Sequence, residues 1–125
     1  YEQGAALGGQ LHPAAVTPFR ADWGLLRDAL VRAVRRLKVD VRLGSPCTPE
    51  SIPAGTYDVA IVATGSTELR PTIPGPDGLA VVTARAVLEG RESVKGRVVV
   101  AGGGCMGAQT AEHLAILDLL GVTRG

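Results

Sequence analysis

The chain has 125 residues and a formal net charge of +1, so its charge favours no particular partner. Only 3% of the residues are aromatic, which argues against the stacking surfaces of single-strand nucleic-acid binders. No apolar run approaches the roughly eighteen residues of a membrane span, and Asp118 interrupts the longest candidate. We therefore expect neither nucleic acid nor membrane as a partner. A chain of this length has room for one core or for pieces of two domains.

The cysteines and the ends of the chain indicate its context. Cys47 and Cys105 lie far apart and form neither a CxxC pair nor a metal-ligating set. With no recognisable secretory signal, this predicts a cytoplasmic protein with two incidental thiols and no metal site. The chain opens at Tyr1 inside an apparent motif and ends at Gly125, where a further strand is expected. We interpret it as a fragment, inactive alone, whose partner is the remainder of the same polypeptide.

The first long pattern predicts a helix from Trp23 to Lys38 with Asp22 as its N-cap. Apolar residues recur at helical spacing, at Leu26, Leu30, Ala33 and Leu37. Leu25, Ala29 and Val34 widen this apolar stripe, and five basic residues make the helix basic: Arg27, Arg32, Arg35, Arg36 and Lys38. Such a basic face is typical of a solvated surface, and phosphate binding is the rarer alternative.

Strand patterns follow, separated by turn-forming residues. Residues 39–43 alternate as VDVRL, which predicts a half-exposed strand, and the apolar run at residues 57–64 predicts a buried one. Residues 68–78 carry three prolines and two glycines, the strongest linker signal in the chain, so we place a domain crossing there. Residues 79–82 predict a short strand. Thr83 is then expected to cap a helix that runs to Leu88 and ends at Gly90.

The most informative stretch is a glycine-rich turn after a second buried strand at residues 98–101. Gly102, Gly104 and Gly107 have the spacing G-x-G-x-x-G and open a predicted helix from Cys105 to Leu120. Such glycines permit a tight turn, let a pyrophosphate approach the backbone and let helix and strand pack closely. The helix N-terminus offers free N–H groups to phosphate. The turn therefore predicts dinucleotide binding, and the alternative is a glycine-rich turn of another α/β protein.

Several stretches together resemble one family. Residues 8–11 read GGQL, 57–66 read YDVAIVATGS, 71–75 read PTIPG and 98–107 read VVVAGGGCMG. This order resembles the FAD/NAD(P)-binding region of flavoproteins with two dinucleotide folds. Within those, GGQL and the long helix after it resemble the NADH:flavin oxidoreductases of the 2,4-dienoyl-CoA reductase, trimethylamine dehydrogenase and 2-enoate reductase group.

The resemblance implies an α/β, Rossmann-like two-dinucleotide-binding flavoprotein fold that is incomplete at both ends. Residues 1–74 would belong to the FAD-binding domain and residues 75–125 to the N-terminal part of the NAD(P)-binding domain. It also leaves room for FMN and an iron–sulfur cluster outside this chain.

The resemblance further implies two sets of cofactor-binding residues. The FAD set is Glu2, Gly8, Gly9, Gln10, Ala63, Thr64 and Gly65. The NAD(P)H set is Gly102, Gly103, Gly104, Cys105, Met106, Gly107 and Gln109. Glu2 would bind the adenosine ribose, although an N-terminal glutamate is by itself more often a solvated charge. The family usually has Glu or Asp at the position of Gln109, so this chain departs from the pattern there.

Three functions follow as hypotheses. The first is an FAD-dependent oxidoreductase that passes hydride from NAD(P)H to FAD and onward to a small-molecule substrate such as an unsaturated acyl compound or enoate. No residue reads as a general acid, base or nucleophile, which agrees with cofactors that carry the chemistry. The second is a non-catalytic ADP- or FAD-binding module of an electron-transfer flavoprotein. The third is an interaction protein with an idle Rossmann-like core.

Overall fold

The computed structural model describes residues 1–69 and 79–122. In these ranges the chain forms four α-helices and one 3₁₀ turn, with no assigned β-strand. The helices are α1 (Leu11–Val16), α2 (Ala21–Arg36), α3 (Ala84–Leu88) and α4 (Cys105–Leu119), and the 3₁₀ turn is Pro49–Ser51. None of these helices is long and apolar enough to cross a membrane. The predicted domain boundary after residue 74 lies outside the described residues.

The predicted helix at residues 23–38 is confirmed as α2, but it begins and ends two residues earlier. Arg20 occupies the N-cap position, so the prediction of Asp22 as N-cap was wrong. Phe19 is the reason, because its left-handed backbone (φ 58°) turns the chain just before the helix. Asp22 lies in the first turn instead, where a negative charge complements the helix dipole.

Three helices end in the same hydrogen-bonded motif. After α2, the amide of Lys38 donates to the carbonyl of Arg35 and that of Val39 donates to Val34. Gly90 and Gly121 take the place of Lys38 after α3 and α4. All three residues have positive φ, from 54° to 74°. This is the Schellman arrangement, which satisfies carbonyls that the helix itself leaves without donors.

The short helix α3 forms as predicted. The Thr83 side chain accepts a hydrogen bond from the amide of Ala86, which confirms the N-cap, and the helix runs to Leu88. Arg85 within the helix and Arg91 after it both bind the carboxylate of Glu89. These two guanidinium groups hold the pKa of Glu89 below its usual value. The ion pairs therefore brace α3 and the turn that follows it.

The buried centre lies where short elements meet. Helix α1, which the sequence analysis had not predicted, packs against α2 and α3, and α3 contacts α4. Among the described residues, the buried ones are Pro13, Thr17, Ala86, Leu88 and Thr110. The hydroxyl of Thr17 is satisfied by the carbonyl of Ala14, at 2.8 Å. No residue of α2 is buried, so its predicted apolar stripe packs only partly.

The predicted strands are not present as assigned strands in the described ranges. A buried parallel strand needs a hydrogen-bonding neighbour on each side. Ile61 and Val99 lack that cover and are 89% and 91% exposed. Part of one predicted strand does pair. The carbonyl of Arg42 accepts from the amide of Glu2, and the amides of Gly44 and Ser45 donate to carbonyls of residues 4 and 2.

Helix α4 approaches the turn before it most closely at Gly107. A Cβ added there would overlap the Gly102 carbonyl oxygen and lie 2.9 Å from its carbonyl carbon. Further along, Ala111, Leu114 and Ala115 face residues 94–100 across a cleft of about 250 Å³. The glycine therefore fixes the contact between helix and turn, while the rest of the helix face is loosely packed.

We expect Gly107→Ala to lose about 1–3 kcal/mol of unfolding free energy, because the methyl group has no room beside the Gly102 carbonyl. Gly103→Ala is the matched control, since its added Cβ would meet nothing within 4 Å. Urea denaturation of both purified variants, followed by circular dichroism, tests the expectation. Equal stability of the two variants would contradict it.

Candidate dinucleotide-binding site

The glycine turn presents an open helix N-terminus. Gly104 is the N-cap of α4 (φ −71°, ψ −178°), and no side chain caps the helix. The first helical bond runs from the amide of Ala108 to the carbonyl of Gly104, at 2.9 Å. The amides of residues 105–107 therefore have no intrahelical acceptor and carry the positive end of the helix dipole.

The space in front of these amides is free. A Cβ added at Gly103 or Gly104 would meet no atom within 4 Å, in contrast to Gly107. Gly102 has a φ of 117°, which only glycine adopts readily and which makes the sharp turn into the helix. Cys105 is exposed, and Met106 is 47% exposed. An anionic group thus has both the room and the donors that a dinucleotide pyrophosphate requires.

The structure joins two of the segments that the resemblance assigns to FAD. The side-chain amide of Gln10 donates to the hydroxyl of Ser66 at 2.8 Å and lies 3.3 Å from the Ser66 carbonyl oxygen. Gly65, the residue before, has a φ of 74°, and a Cβ there would lie 3.5 Å from the Gln10 amide nitrogen. The end of the YDVAIVATGS segment therefore lies against the start of α1. Ala63 and Thr64 are exposed beside it.

Gly8 has no room for a side chain. Its φ is 121°, and an added Cβ would lie 2.8 Å from Cγ and Cδ of Arg27 and 3.0 Å from Nε2 of His12. Gly9 also has a positive φ but no such neighbour. The GGQL loop thus packs against Arg27 of α2 at Gly8, whereas the space beside Gly9 is free.

Arg27 and His12 fix this loop by hydrogen bonds. Arg27 Nη1 lies 3.1 Å from His12 Nδ1, and His12 Nε2 lies 3.0 Å from the carbonyl of Leu7. A guanidinium only donates, so Nδ1 is the acceptor and Nε2 carries the proton given to Leu7. Arg27 also binds Asp28. Arg27 therefore does not belong to the predicted solvated basic face, since its side chain is 24% exposed and bonded to His12 and Asp28. The other four basic residues of that face are exposed, as predicted: Arg32, Arg35, Arg36 and Lys38.

Glu2 lies in the segment that pairs with residues 42–45. Its carboxylate Oε1 accepts from the amide of Gly4 at 2.7 Å, which folds the start of the 4–9 loop back onto it. Its backbone exchanges hydrogen bonds with Arg42 and Ser45. Glu2 is therefore held by hydrogen bonds both to the start of the 4–9 loop and to residues 42–45.

Gln109 connects the glycine turn to the other half of the chain. With its amide oxygen turned toward Arg20, it accepts hydrogen bonds from Arg20 Nη2 at 2.9 Å and Nε at 3.1 Å. Arg20 sits at the start of α2, so the contact joins the NAD(P)H set to the segment after GGQL. Neither sequence spacing nor periodicity signals a pairing over this separation.

The predicted residues therefore fall into three local groups. They are Glu2 with Gly4, the GGQL loop with Gly65 and Ser66, and the glycine turn with Gln109. Sequence reasoning missed His12, Arg20, Arg27 and Ser66 as the residues that hold these groups in place. No cluster of three or more metal-ligating side chains occurs in the part of the chain that the structure describes.

Comparison with known proteins adds three similar reductases and oxidases. The chain is 41% identical over 115 residues to a bilirubin reductase of Mediterraneibacter gnavus, 40% over 119 to an NADH oxidase of Thermoanaerobacter brockii and 37% over 119 to a metal reductase of Desulforamulus reducens. Each match covers 92% of this chain and 18% of the relative. The chain thus corresponds to less than a fifth of each relative's length. No solved structure matches it significantly.

The family model described as pyridine nucleotide-disulphide oxidoreductase matches residues 28–123, which include the glycine turn and most of the chain. This family is built on a Rossmann-like dinucleotide-binding fold that binds FAD and NAD(P)H. The described helices, the glycine turn and the loop contacts agree with such a fold, although its sheet is not formed in the described residues. The chain belongs to the pyridine nucleotide-disulphide oxidoreductase family.

Proposed function

We propose that this chain is the cofactor-binding part of a flavin-dependent oxidoreductase that takes hydride from NAD(P)H. The observation that carries the proposal is the open, uncapped N-terminus of α4 behind the glycine turn. The family match and the names of the similar reductases and oxidase support the same class of reaction.

The residues of the glycine turn fit the nicotinamide dinucleotide. The free amides of residues 105–107 would bind its pyrophosphate, and the empty space beside Gly104 would admit it close to the backbone. No side-chain cation is needed, because the helix dipole and several amides share the charge. The contribution of the chain is therefore binding and orientation.

The first half of the chain fits FAD in the same way. Glu2 would accept hydrogen bonds from the adenosine ribose, and the residues of the GGQL loop and the turn at Ala63 to Gly65 would line the cofactor. The bond between Gln10 and Ser66 keeps these two segments at a fixed separation. When bound, the two cofactors supply the hydride chemistry, which agrees with the lack of a general acid or base in our sequence analysis.

The two sites would lie in separate domains, residues 1–74 for FAD and 75–125 for NAD(P)H. The final electron acceptor would bind to the rest of the polypeptide. We propose that this acceptor is an unsaturated acyl compound or enoate. This narrower assignment rests on the resemblance of GGQL and the following helix to the 2,4-dienoyl-CoA reductase group. The similar proteins carry the names of different acceptors, which fits a common cofactor-binding part joined to variable chemistry.

Gly65→Val, made in the longest natural polypeptide that contains this chain, should lower the affinity for FAD at least about tenfold, equivalent to about 1.4 kcal/mol. The branched side chain would occupy space between Gln10 and the cofactor. Gly55→Val is the matched control, because its φ of 79° imposes the same backbone strain in a loop with nothing within 4 Å. Flavin absorbance per protein in the purified variants is the measurement. Equal flavin content in both would refute this placement of FAD.

Gly104→Val should abolish the use of NAD(P)H while flavin stays bound. The protein itself has room for the valine side chain, so a lower affinity for NAD(P)H would not come from a disturbed fold. It would come from the side chain pushing the phosphates of the ligand away from the amides. We expect a hundredfold or greater loss of affinity, about 3 kcal/mol. Anaerobic reduction should be slow with NAD(P)H and normal with dithionite.

Two results would count against this scheme. Loss of flavin together with NAD(P)H reactivity in Gly104→Val would contradict the division into two sites. Retention of FAD in the parent protein without any reduction by NADH or NADPH would favour the non-catalytic nucleotide-binding module instead.

A further inference from the structure

Arg20 and Gln109 form a direct connection between the two nucleotide-binding halves. The surrounding donors assign the Gln109 amide an orientation with its oxygen toward Arg20, and in that orientation the oxygen accepts from two nitrogens of the same guanidinium, at 2.9 and 3.1 Å. Arg20 directly precedes α2, and Gln109 lies in the first turns of α4, just past the glycine turn. Helices α2 and α4 are otherwise not packed together in the described residues.

The backbone around Arg20 is held in an uncommon conformation. Phe19 has a φ of 58°, which non-glycine residues adopt rarely, and its side chain is 91% exposed. The ring therefore gains little from packing. The turn at Phe19 does set the direction in which the chain enters α2, and with it the origin of the Arg20 side chain. Uncommon backbone of this kind tends to occur at functional positions.

The contact is suited to orientation rather than stability. Arg20 makes no ion pair with a carboxylate of the described residues. Its partner is a neutral amide, and Arg20 is an exposed residue. Exposed polar contacts add little to the free energy of folding. Two N–H groups on one oxygen nevertheless restrict the relative position of the two side chains more than a single bond would.

We infer that Arg20 is a positioning residue that holds the first turns of α4, through Gln109, against the segment that follows the GGQL loop. The inference rests on the proposed function, because its consequence is a fixed separation between the bound nicotinamide and the flavin. Hydride transfer requires close approach of the reacting atoms, and small displacements lower the rate strongly. Arg20 thereby affects hydride transfer without touching either cofactor.

The first test removes the donors of Arg20. In the longest natural polypeptide, Arg20→Met keeps the length of the side chain but not its hydrogen bonds. We expect flavin reduction at saturating NAD(P)H to slow about tenfold to a hundredfold, with FAD content and thermal midpoint unchanged. Arg36→Met is the matched control, because Arg36 is an exposed arginine at the other end of α2. It should react at the parental rate.

The second test uses Gln109. Gln109→Leu should reproduce the slow reduction of Arg20→Met, and the double variant should be no slower than either single variant, because both remove the same contact. Arg20→Lys keeps a donor for the Gln109 oxygen and should lose less of the parental rate than Arg20→Met. A merely structural role of Arg20 would not separate these two variants in the rate of flavin reduction.

A third measurement does not depend on NAD(P)H. Hydrogen exchange in peptides that span α4 should be faster in Arg20→Met and Gln109→Leu than in the parent and Arg36→Met. Parental exchange and parental reduction rates in Arg20→Met would overturn the inference, as would a double variant whose defects multiply or a loss of FAD in Arg20→Met. If the parent itself is not reduced by NAD(P)H, the proposed function fails, and the exchange result alone decides whether Arg20 holds α4.

Discussion

The close approach of Gly107 to the carbonyl of Gly102 is the constraint on which the rest of the candidate dinucleotide-binding site depends. It brings the first turn of α4 back against the residues that lead into it, so that the chain reverses within a few residues. A side chain at residue 107 would push the helix away and carry its free amides with it. The sharp bend at Gly102 and the free space at Gly104 can present the amides of α4 to a ligand only if that contact is kept.

The other half of the site depends on contacts between segments that are far apart in the chain. Gln10 holds Ser66, Arg27 holds the GGQL loop through His12, and the backbone of Glu2 pairs with residues 42–45. These are mainly side-chain or loop hydrogen bonds rather than buried apolar packing. Such hydrogen bonds hold the loops in one arrangement while little of their surface is buried. This suits segments that would leave one face open for a cofactor.

The local features were predictable from the sequence and the long-range ones were not. Helical periodicity and end signals identified α2, α3 and α4, because helix bonds and caps involve residues within a few positions of each other. Thr83 and Gly90 are clear examples. Helix α1 was not predicted, because six residues that include a proline give little periodic signal.

The predicted strands and the side-chain partners show the limit of sequence reasoning. An apolar run such as residues 57–64 becomes a strand only when neighbours supply its hydrogen bonds, and a run by itself does not specify them. Likewise, the pairing of Arg20 with Gln109 depends on how two distant helices begin. The glycine spacing was informative because each glycine is required by local sterics. The structure shows this at Gly102, which has a positive φ, and at Gly107, which has no room for a Cβ.

A crystal structure of the longest natural polypeptide that contains this chain, with FAD and NAD⁺ both bound, would test the two-site account most directly. We expect the NAD⁺ pyrophosphate to lie within hydrogen-bonding distance of the amides of residues 105–107. We also expect the adenosine ribose of FAD to lie against the carboxylate of Glu2. A structure in which FAD occupies the glycine turn at residues 102–107, or in which NAD⁺ binds elsewhere, would contradict it.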